Sequence, residues 1–233
     1  MMKDFSQLEK KLKIAFKNKD LLTHAFTHRS YLNENPDFHL THNERLEFLG
    51  DAVLELAVTE YLFEQYPSRP EGELTAWRAA LVNAKMLSAV AKELDFNDFL
   101  LLSKGESKET GKARDYILAN AMEAFIGSLY LDQGMGAADK FIGKHILVKL
   151  PEVLETKTFQ DSKSKFQEIA QEKTSITPSY TVLKEWGPDH EKHFQIGVFL
   201  NQELVAEGEG TSKQEAEETA ARNALEKKRW NGI

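Results

Sequence analysis

The chain has 233 residues, 41% hydrophobic and 29% charged, enough for a buried core in one or two domains. It contains no cysteine, which excludes disulfides and thiolate zinc sites. Its formal net charge of -7 and pI of about 5.6 lack the basic footprint of a non-specific nucleic-acid binder.

The N-terminal stretch M-M-K-D-F-S-Q-L-E-K-K has no apolar run of the secretory kind, and no segment approaches transmembrane length. A soluble, cytoplasmic protein without a membrane partner is expected. Residues 5–24 carry helical periodicity through Phe5, Leu8 and Leu12, with Leu21 and Leu22 following a turn at Asn18. His24, Thr27, His28, Arg29 and Ser30 then form a polar cluster before a loop from Asn33 to Leu40. A helix starts near Thr41, where Thr41 and Glu44 have capping-box spacing, and runs to Pro67. Leu46, Leu49, Val53 and Leu56 are expected on its buried face. Phe48 falls on the other side and needs cover, from a second subunit or from this chain.

Residues 68–72 read as a turn and Glu73–Leu94 as one long helix. Residues 103–115 read as a charged loop, Ile117–Leu131 as a helix, and Ala137–Leu147 as the last helix of an all-α segment ending at residue 150. Residues 151–160 look like a linker. From there the order changes: a helix over Ser162–Lys173, strands over Tyr180–Trp186, His193–Leu200 and Glu203–Glu207, and a helix from Thr211 or Ser212 to Arg229. This α-β-β-β-α order describes a small α+β domain over 161–230. Residues Gly187-Pro188-Asp189-His190 and Asn201-Gln202 form its turns, and Gly208 and Gly210 are expected to end the third strand.

Glu44, Glu47 and Asp51 stand three and four apart, so at about 100° per residue they fall within about a 60° arc of one helix face. Asn120 and Glu123 form a second pair at spacing three. These are hard oxygen donors, suited to Mg²⁺ or Mn²⁺ and poor for zinc or copper. Spacing alone leaves two readings, a divalent-cation site or a solvated acidic face paired with lysines and arginines. Glu44 has a further one, as a capping side chain. The histidines lack H-x-x-x-H spacing, and there is no G-x-S-x-G, P-loop or G-x-G-x-x-G.

The segment H-N-E-R-L-E-F-L-G-D, residues 42–51, resembles the ribonuclease III signature over all ten positions. P-E-G-E-L-T at 70–75, W-R-A-A-L-V at 77–82 and I-L-A-N-A-M-E-A-F-I-G at 117–127 match in register. The C-terminal K-F-Q-E-I-A, G-P-D-H and S-K-Q-E-A-E-E-T-A-A resemble a double-stranded-RNA-binding domain. The resemblance implies a homodimeric, Mg²⁺-dependent endonuclease, with Mn²⁺ as substitute, that cuts double-stranded RNA to 5′-phosphate products with short 3′ overhangs. It implies roles in processing ribosomal RNA precursors and other structured RNAs. By this resemblance Asp51 and Glu123 are catalytic; Glu47, Asp51, Asn120 and Glu123 hold metal; Glu44 and Glu71 serve a second metal or the substrate; and Phe48 inserts into the partner subunit. Gln167, Glu168, His190, Ser212 and Lys213 contact RNA.

Two positions depart from the pattern. Asn120 stands where aspartate is usual, and Gln214 where a second lysine is usual. Residues 161–233 hold ten Lys and Arg against thirteen Asp and Glu, which implies weak RNA affinity for that domain alone with a shallow salt slope. A duplex-RNA binder without catalysis, favoured only by Asn120, and a phosphoesterase of small substrates remain as rivals.

Overall fold

The computed structural model describes residues 3–156, 162–188 and 192–230. The chain forms two compact units, Met1–Phe159 and Gln160–Ile233, and each is described by itself. No helix among the described residues is long and apolar enough to cross a membrane.

The first unit is helical: α1 (Ser6–Leu12), α2 (Lys19–Ala25), α3 (Arg29–Glu34), α4 (Glu44–Gln65), α5 (Glu71–Val82), α6 (Ala84–Glu93), α7 (Gly111–Gln133), α8 (Met135–His145) and α9 (Leu150–Thr156). Helix α7 is its axis. From Leu118 to Leu129 nearly every side chain is buried, because α2, α4, α6 and α8 pack around it. Such all-round burial suits a continuous apolar run. Phe125 is the hub, with its ring 5.7 Å from Phe16, 6.2 Å from Phe26, 5.3 Å from Phe96 and 4.9 Å from Phe141. The buried Ser128 hydroxyl donates to the Phe125 carbonyl at 2.8 Å, so this core carries no cost for it.

Several elements differ from the sequence reading, each for a local reason. The expected helix over 73–94 is two helices. Asn83 sits between them in extended conformation (φ -72°, ψ 158°). Its amide nitrogen donates to the Ala79 and Ala80 carbonyls at 3.1 and 3.0 Å, and its oxygen accepts from the Met86 N–H at 2.9 Å. One side chain closes α5 and opens α6. The polar cluster at 28–30 begins a helix, α3, capped by His28. Much of the expected loop at 103–115 is ordered by Arg114, whose guanidinium donates to the carbonyls of Glu106, Ser107 and Glu109; α7 already starts at Gly111.

Residues 151–160 are not a linker throughout. Pro151 lies in the first turn of α9, where a missing N–H is tolerated, and Val153 is buried in the core of the helical unit. Leu56 is 58% exposed, not buried. It shares a helix face with Phe48 and Phe63 (spacings of eight and seven), and these are 82% and 72% exposed. An apolar stripe therefore runs along the outside of α4.

The second unit is α10 (Ser162–Thr174), β1 (Ser179–Trp186), β2 (His193–Leu200), β3 (Glu203–Gly210) and α11 (Lys213–Lys227). The sheet is antiparallel in the order β1-β2-β3, with Tyr180 opposite Val198 and Val198 opposite Ala206. Phe166, Val198, Val205 and the alanines of α11 form its core. Gly208 lies inside β3, beyond the expected end at Glu207, and Gly210 is the strand's last residue. A Cβ on Gly208 would stand 2.1 Å from the Ala220 nitrogen, and one on Gly210 2.6 Å from the Ala216 nitrogen. They are glycines because α11 lies directly on the strand.

Candidate active site

The acidic residues come together at the crossing of α4 and α7. Asn43 sets the start of α4: its backbone N–H donates to the Thr27 carbonyl at 2.9 Å, and its buried amide to the Ala25 carbonyl at 3.0 Å. Its own carbonyl accepts the Leu46 and Glu47 N–H groups at 2.9 Å. The capping box expected from Thr41 and Glu44 does not form. The Thr41 hydroxyl lies 3.1 Å from His24 Nε2, and Glu44 faces Arg29 and His42 at 3.6 Å each.

Two glycines let the helices touch backbone to backbone. A Cβ on Gly50 would lie 1.7 Å from the Glu123 carbonyl oxygen; one on Gly127 would lie 2.3 Å from the Leu46 carbonyl oxygen and 3.0 Å from the Gly50 nitrogen. Gly50 is adjacent to Asp51 and three residues from Glu47. Gly127 is one turn beyond Glu123. This close contact carries the carboxylates of one helix into the field of the other.

The electrostatics record that proximity. Glu123 is pushed up from 4.5 to about 8, first by burial and then by the charges of Asp51 and Glu47. Glu47 is raised by burial, by Glu44 and by Asp51, against a hydrogen bond from the Asn120 side chain that favours its ionised form. Asn120 therefore relieves the cluster where an aspartate would add to the repulsion. With its amide nitrogen turned to Glu47, its carbonyl oxygen is left as a donor.

Glu47, Asp51, Asn120 and Glu123 are thus brought to one place. Glu44 stands at its edge, part-neutralised by Arg29. Glu71 is not brought there within one chain: it lies exposed in the first turn of α5, accepting from the Thr75 hydroxyl at 3.0 Å, and is absent from the charges acting on Glu47 and Glu123. No three His, Asp or Glu side chains among the described residues surround a common point. The donor set itself, three carboxylates and an amide carbonyl carrying uncompensated negative charge, fits a hard divalent cation.

The positioning residues that sequence reasoning missed are Asn43, Gly50 and Gly127. Their signals were present: an asparagine just ahead of an apolar-periodic helix, and glycines inside helical patterns, which cost stability unless packing requires them.

In the second unit, Gln167 and Glu168 are exposed on α10. Ser212 caps α11, its hydroxyl accepting from the Glu215 N–H at 3.2 Å. Lys213 opens that helix with its Nζ 5.8 Å from the Phe194 ring centroid. His190 lies outside the described residues. The acids following Lys213 have structural partners. Glu218 accepts from the Ser162 N–H at 3.0 Å, and Glu217 meets Lys163 Nζ at 2.5 Å. They fasten the first turn of α10 to α11.

A family model described as ribonuclease-III-like matches residues 18–150, and one described as a double-stranded RNA binding motif matches residues 162–228. The chain is 48% identical over 223 residues to ribonuclease 3 of Anoxybacillus flavithermus, covering 96% of this chain and 93% of the relative. It is 43% identical over 220 residues to that of Streptococcus gordonii, covering 94% of each. Among solved structures, the nuclease domain of ribonuclease III from Campylobacter jejuni aligns with a TM-score of 0.57 at 42% identity, over 64% of this chain and 99% of that one. Its description reports structural flexibility in a region involved in dimer formation.

A helical nuclease domain joined to a double-stranded-RNA-binding fold defines an endoribonuclease of double-strand specificity. The chain belongs to the ribonuclease III family.

Proposed function

We propose that this protein is a cytoplasmic, homodimeric, Mg²⁺-dependent endoribonuclease that cuts both strands of double-stranded RNA. Its products carry 5′-phosphates and short 3′ overhangs, and its substrates include ribosomal RNA precursors and other structured RNAs. Residues 1–150, extended by α9, cut; residues 161–230 hold the duplex, through Gln167, Glu168, His190, Ser212 and Lys213. The observation that carries this reading is the meeting of Glu47 and Asp51 with Asn120 and Glu123 across the glycine contact of α4 and α7.

These four residues would hold Mg²⁺, with Mn²⁺ as substitute. When bound, the ion activates water and neutralises charge on the scissile phosphate and leaving oxygen. The protein's part is to keep Glu47 ionised through Asn120, to hold Asp51 and Glu123 on rigid helices, and to exclude bulk water at Glu123 by burial. Glu44 and Glu71 serve a second metal or the substrate. For Glu71, a substrate contact suits its separation from the other carboxylates.

The test is to incubate a labelled duplex, and each of its single strands, over a Mg²⁺ series. Cleavage of the duplex alone, with 5′-phosphate ends and staggered cuts, is expected. Binding of duplex without any nick over Mg²⁺ and Mn²⁺ would establish the non-catalytic binder instead.

Asn120→Asp adds a fourth carboxylate and removes the hydrogen bond to Glu47. The Mg²⁺ concentration for half-maximal cleavage should fall several-fold, while the midpoint of thermal unfolding in chelator also falls. An unchanged Mg²⁺ dependence would remove Asn120 from the ligand set.

Dimerisation is supported by the exposed stripe of Phe48, Leu56 and Phe63 on α4, apolar side chains of a kind that self-association buries. Phe48→Ser should give a monomer by sedimentation and lose most double-strand cleavage. Its monomer fold should be intact by circular dichroism, because a side chain this exposed contributes little to the monomer's own core. A dimer that persists in Phe48→Ser would reassign the interface.

A further inference from the structure

The nuclease unit carries a second charged concavity, opposite in sign to the acidic centre. It is a pocket of about 670 Å³ between the turn after α1, the end of α7 and α8, lined by Lys13, Lys17, Lys140, Lys144 and His145 with no acidic residue among its lining. Ile14 and Leu129 add apolar wall. Leu129 and Gln133 lie six and ten residues beyond Glu123 on α7, about 9–15 Å along the axis, so the pocket is separate from the acidic site.

Ordinary structural roles account for only part of this charge. Lys144 and His145 lie in the last turn of α8, where basic groups complement the helix dipole. Lys140 lies a turn earlier, four residues from Lys144, and like charges at that spacing repel. Lys13 holds a left-handed backbone (φ 59°, ψ 38°) that glycine takes without steric cost. None of the four lysines forms an ion pair among the described residues. Asp132, on which the Lys17 charge acts, has its carboxylate taken up by the Lys17 and Asn18 N–H groups at 2.9 and 2.8 Å rather than by an ion pair. The walls are fixed: the Gln133 amide donates to the Ala15 carbonyl at 3.0 Å, and the His145 ring lies 4.9 Å from Phe141.

We propose that this pocket binds a multiply phosphorylated nucleotide, either free or as the 5′ end of an RNA strand. Its size is that of a small-ligand site. A duplex presents a convex ribbon of phosphates and would span the rim, whereas a compact polyphosphate enters and meets several lysines at once. Lysine serves such a ligand as a point charge without fixed geometry. The apolar wall of Ile14 and Leu129 gives the base or sugar a surface to lie against.

The full chain is titrated calorimetrically in chelator at low salt, where anion binding through metal is removed. The probes are ATP, inorganic triphosphate, and a single-stranded tetranucleotide with a 5′-triphosphate or a 5′-hydroxyl. Saturable binding of the triphosphate probes is expected, weakened at least tenfold in K140E/K144E and more mildly in K140Q/K144Q. Thermal midpoints and cleavage of blunt duplex should stay unchanged in both variants. ATP bound more tightly than the tetranucleotide identifies a free nucleotide as the ligand; the reverse identifies an RNA end. Absence of saturable binding by every probe, or equal binding by parent and both variants, overturns the proposal. Because the readout needs neither metal nor cleavage, its outcome is independent of the catalytic reading above.

Discussion

Gly127→Ala and Gly50→Ala should each unfold or severely destabilise the nuclease unit. In an ordinary exposed helix the change from glycine to alanine stabilises by up to about 1 kcal/mol. Here the added methyl has no room: it would stand 2.3 Å from the Leu46 carbonyl oxygen in one case and 1.7 Å from the Glu123 carbonyl oxygen in the other. Both obstacles are backbone, so no rotamer change relieves them and the helices must part. Overpacking a core typically costs about 1–3 kcal/mol and sometimes more; at least about 3 kcal/mol is expected here, a large share of the roughly 5–15 kcal/mol that holds a domain folded. Denaturant unfolding of each variant measures it.

The same variants should lose cleavage beyond what unfolding explains. Parting α4 from α7 draws Glu47 and Asp51 away from Asn120 and Glu123, and catalytic arrangements tolerate only about 0.5 Å of displacement. A variant that stayed folded at low temperature yet cut duplex RNA at the parental rate would show that the glycine contact does not set the site. Gly72→Ala is the control. Gly72 meets nothing within 4 Å of an added Cβ and lies in the first turn of α5, so stability should hold or rise slightly.

These glycines also mark how far the sequence could be read. The facing of Glu47 and Asp51 was legible, because three- and four-residue spacing is a local property of one helix. The spacing of Asn120 and Glu123 was legible in the same way. That the two sets meet was not, because their distance depends on how closely α4 and α7 pack. The resemblance supplied that meeting; composition and periodicity did not.

The differences have local or distant causes. Apolar periodicity ran unbroken from Leu74 to Val90, and the break at Asn83 rests on one side chain's hydrogen bonds. Residues 151–160 read as a linker for want of apolar periodicity, although α9 runs to Thr156 and the first turn of a helix accepts Pro151. Gly208 suggests a strand end, yet the strand continues to Gly210, and close packing of α11 is what requires the glycine. Helical spacing groups Leu56 with Leu46, Leu49 and Val53, whereas α4 presents a second, exposed apolar stripe and Leu56 falls on it. For Gly208 and Leu56 the deciding contact lies outside the local window; for Asn83 it is a local cap that apolar periodicity does not register.

Glu123→Gln should abolish cleavage while making the metal-free protein more stable. The glutamine keeps the size of the side chain and removes its charge. A metal site supplies several kcal/mol of transition-state stabilisation, so with Glu123 in its proposed role as a charged ligand its loss should slow cleavage by about a thousandfold or more. The stability effect has the opposite sign. Burial, Asp51 and Glu47 raise Glu123 from 4.5 to about 8, so its folded-state value lies above its unfolded one. Such a group favours the folded state fully below about pH 4.5, and that advantage is lost as pH rises through about 8. In chelator the parent should therefore weaken steadily over this window. Glu123→Gln should not share this part of the decline, and at pH 8 should exceed the parent by about 1–2 kcal/mol after allowance for solvent screening. Near pH 4.5 the two should nearly coincide. Added Mg²⁺ should stabilise the parent, because a ligand that binds only the folded state does so by mass action, and should stabilise the variant much less. Thermal unfolding across pH, with and without Mg²⁺, separates these cases. Parallel pH curves for parent and variant in chelator would mean that Glu123 is not crowded by Asp51 and Glu47, and the charge conflict on which the proposed cation site rests would be lost with it.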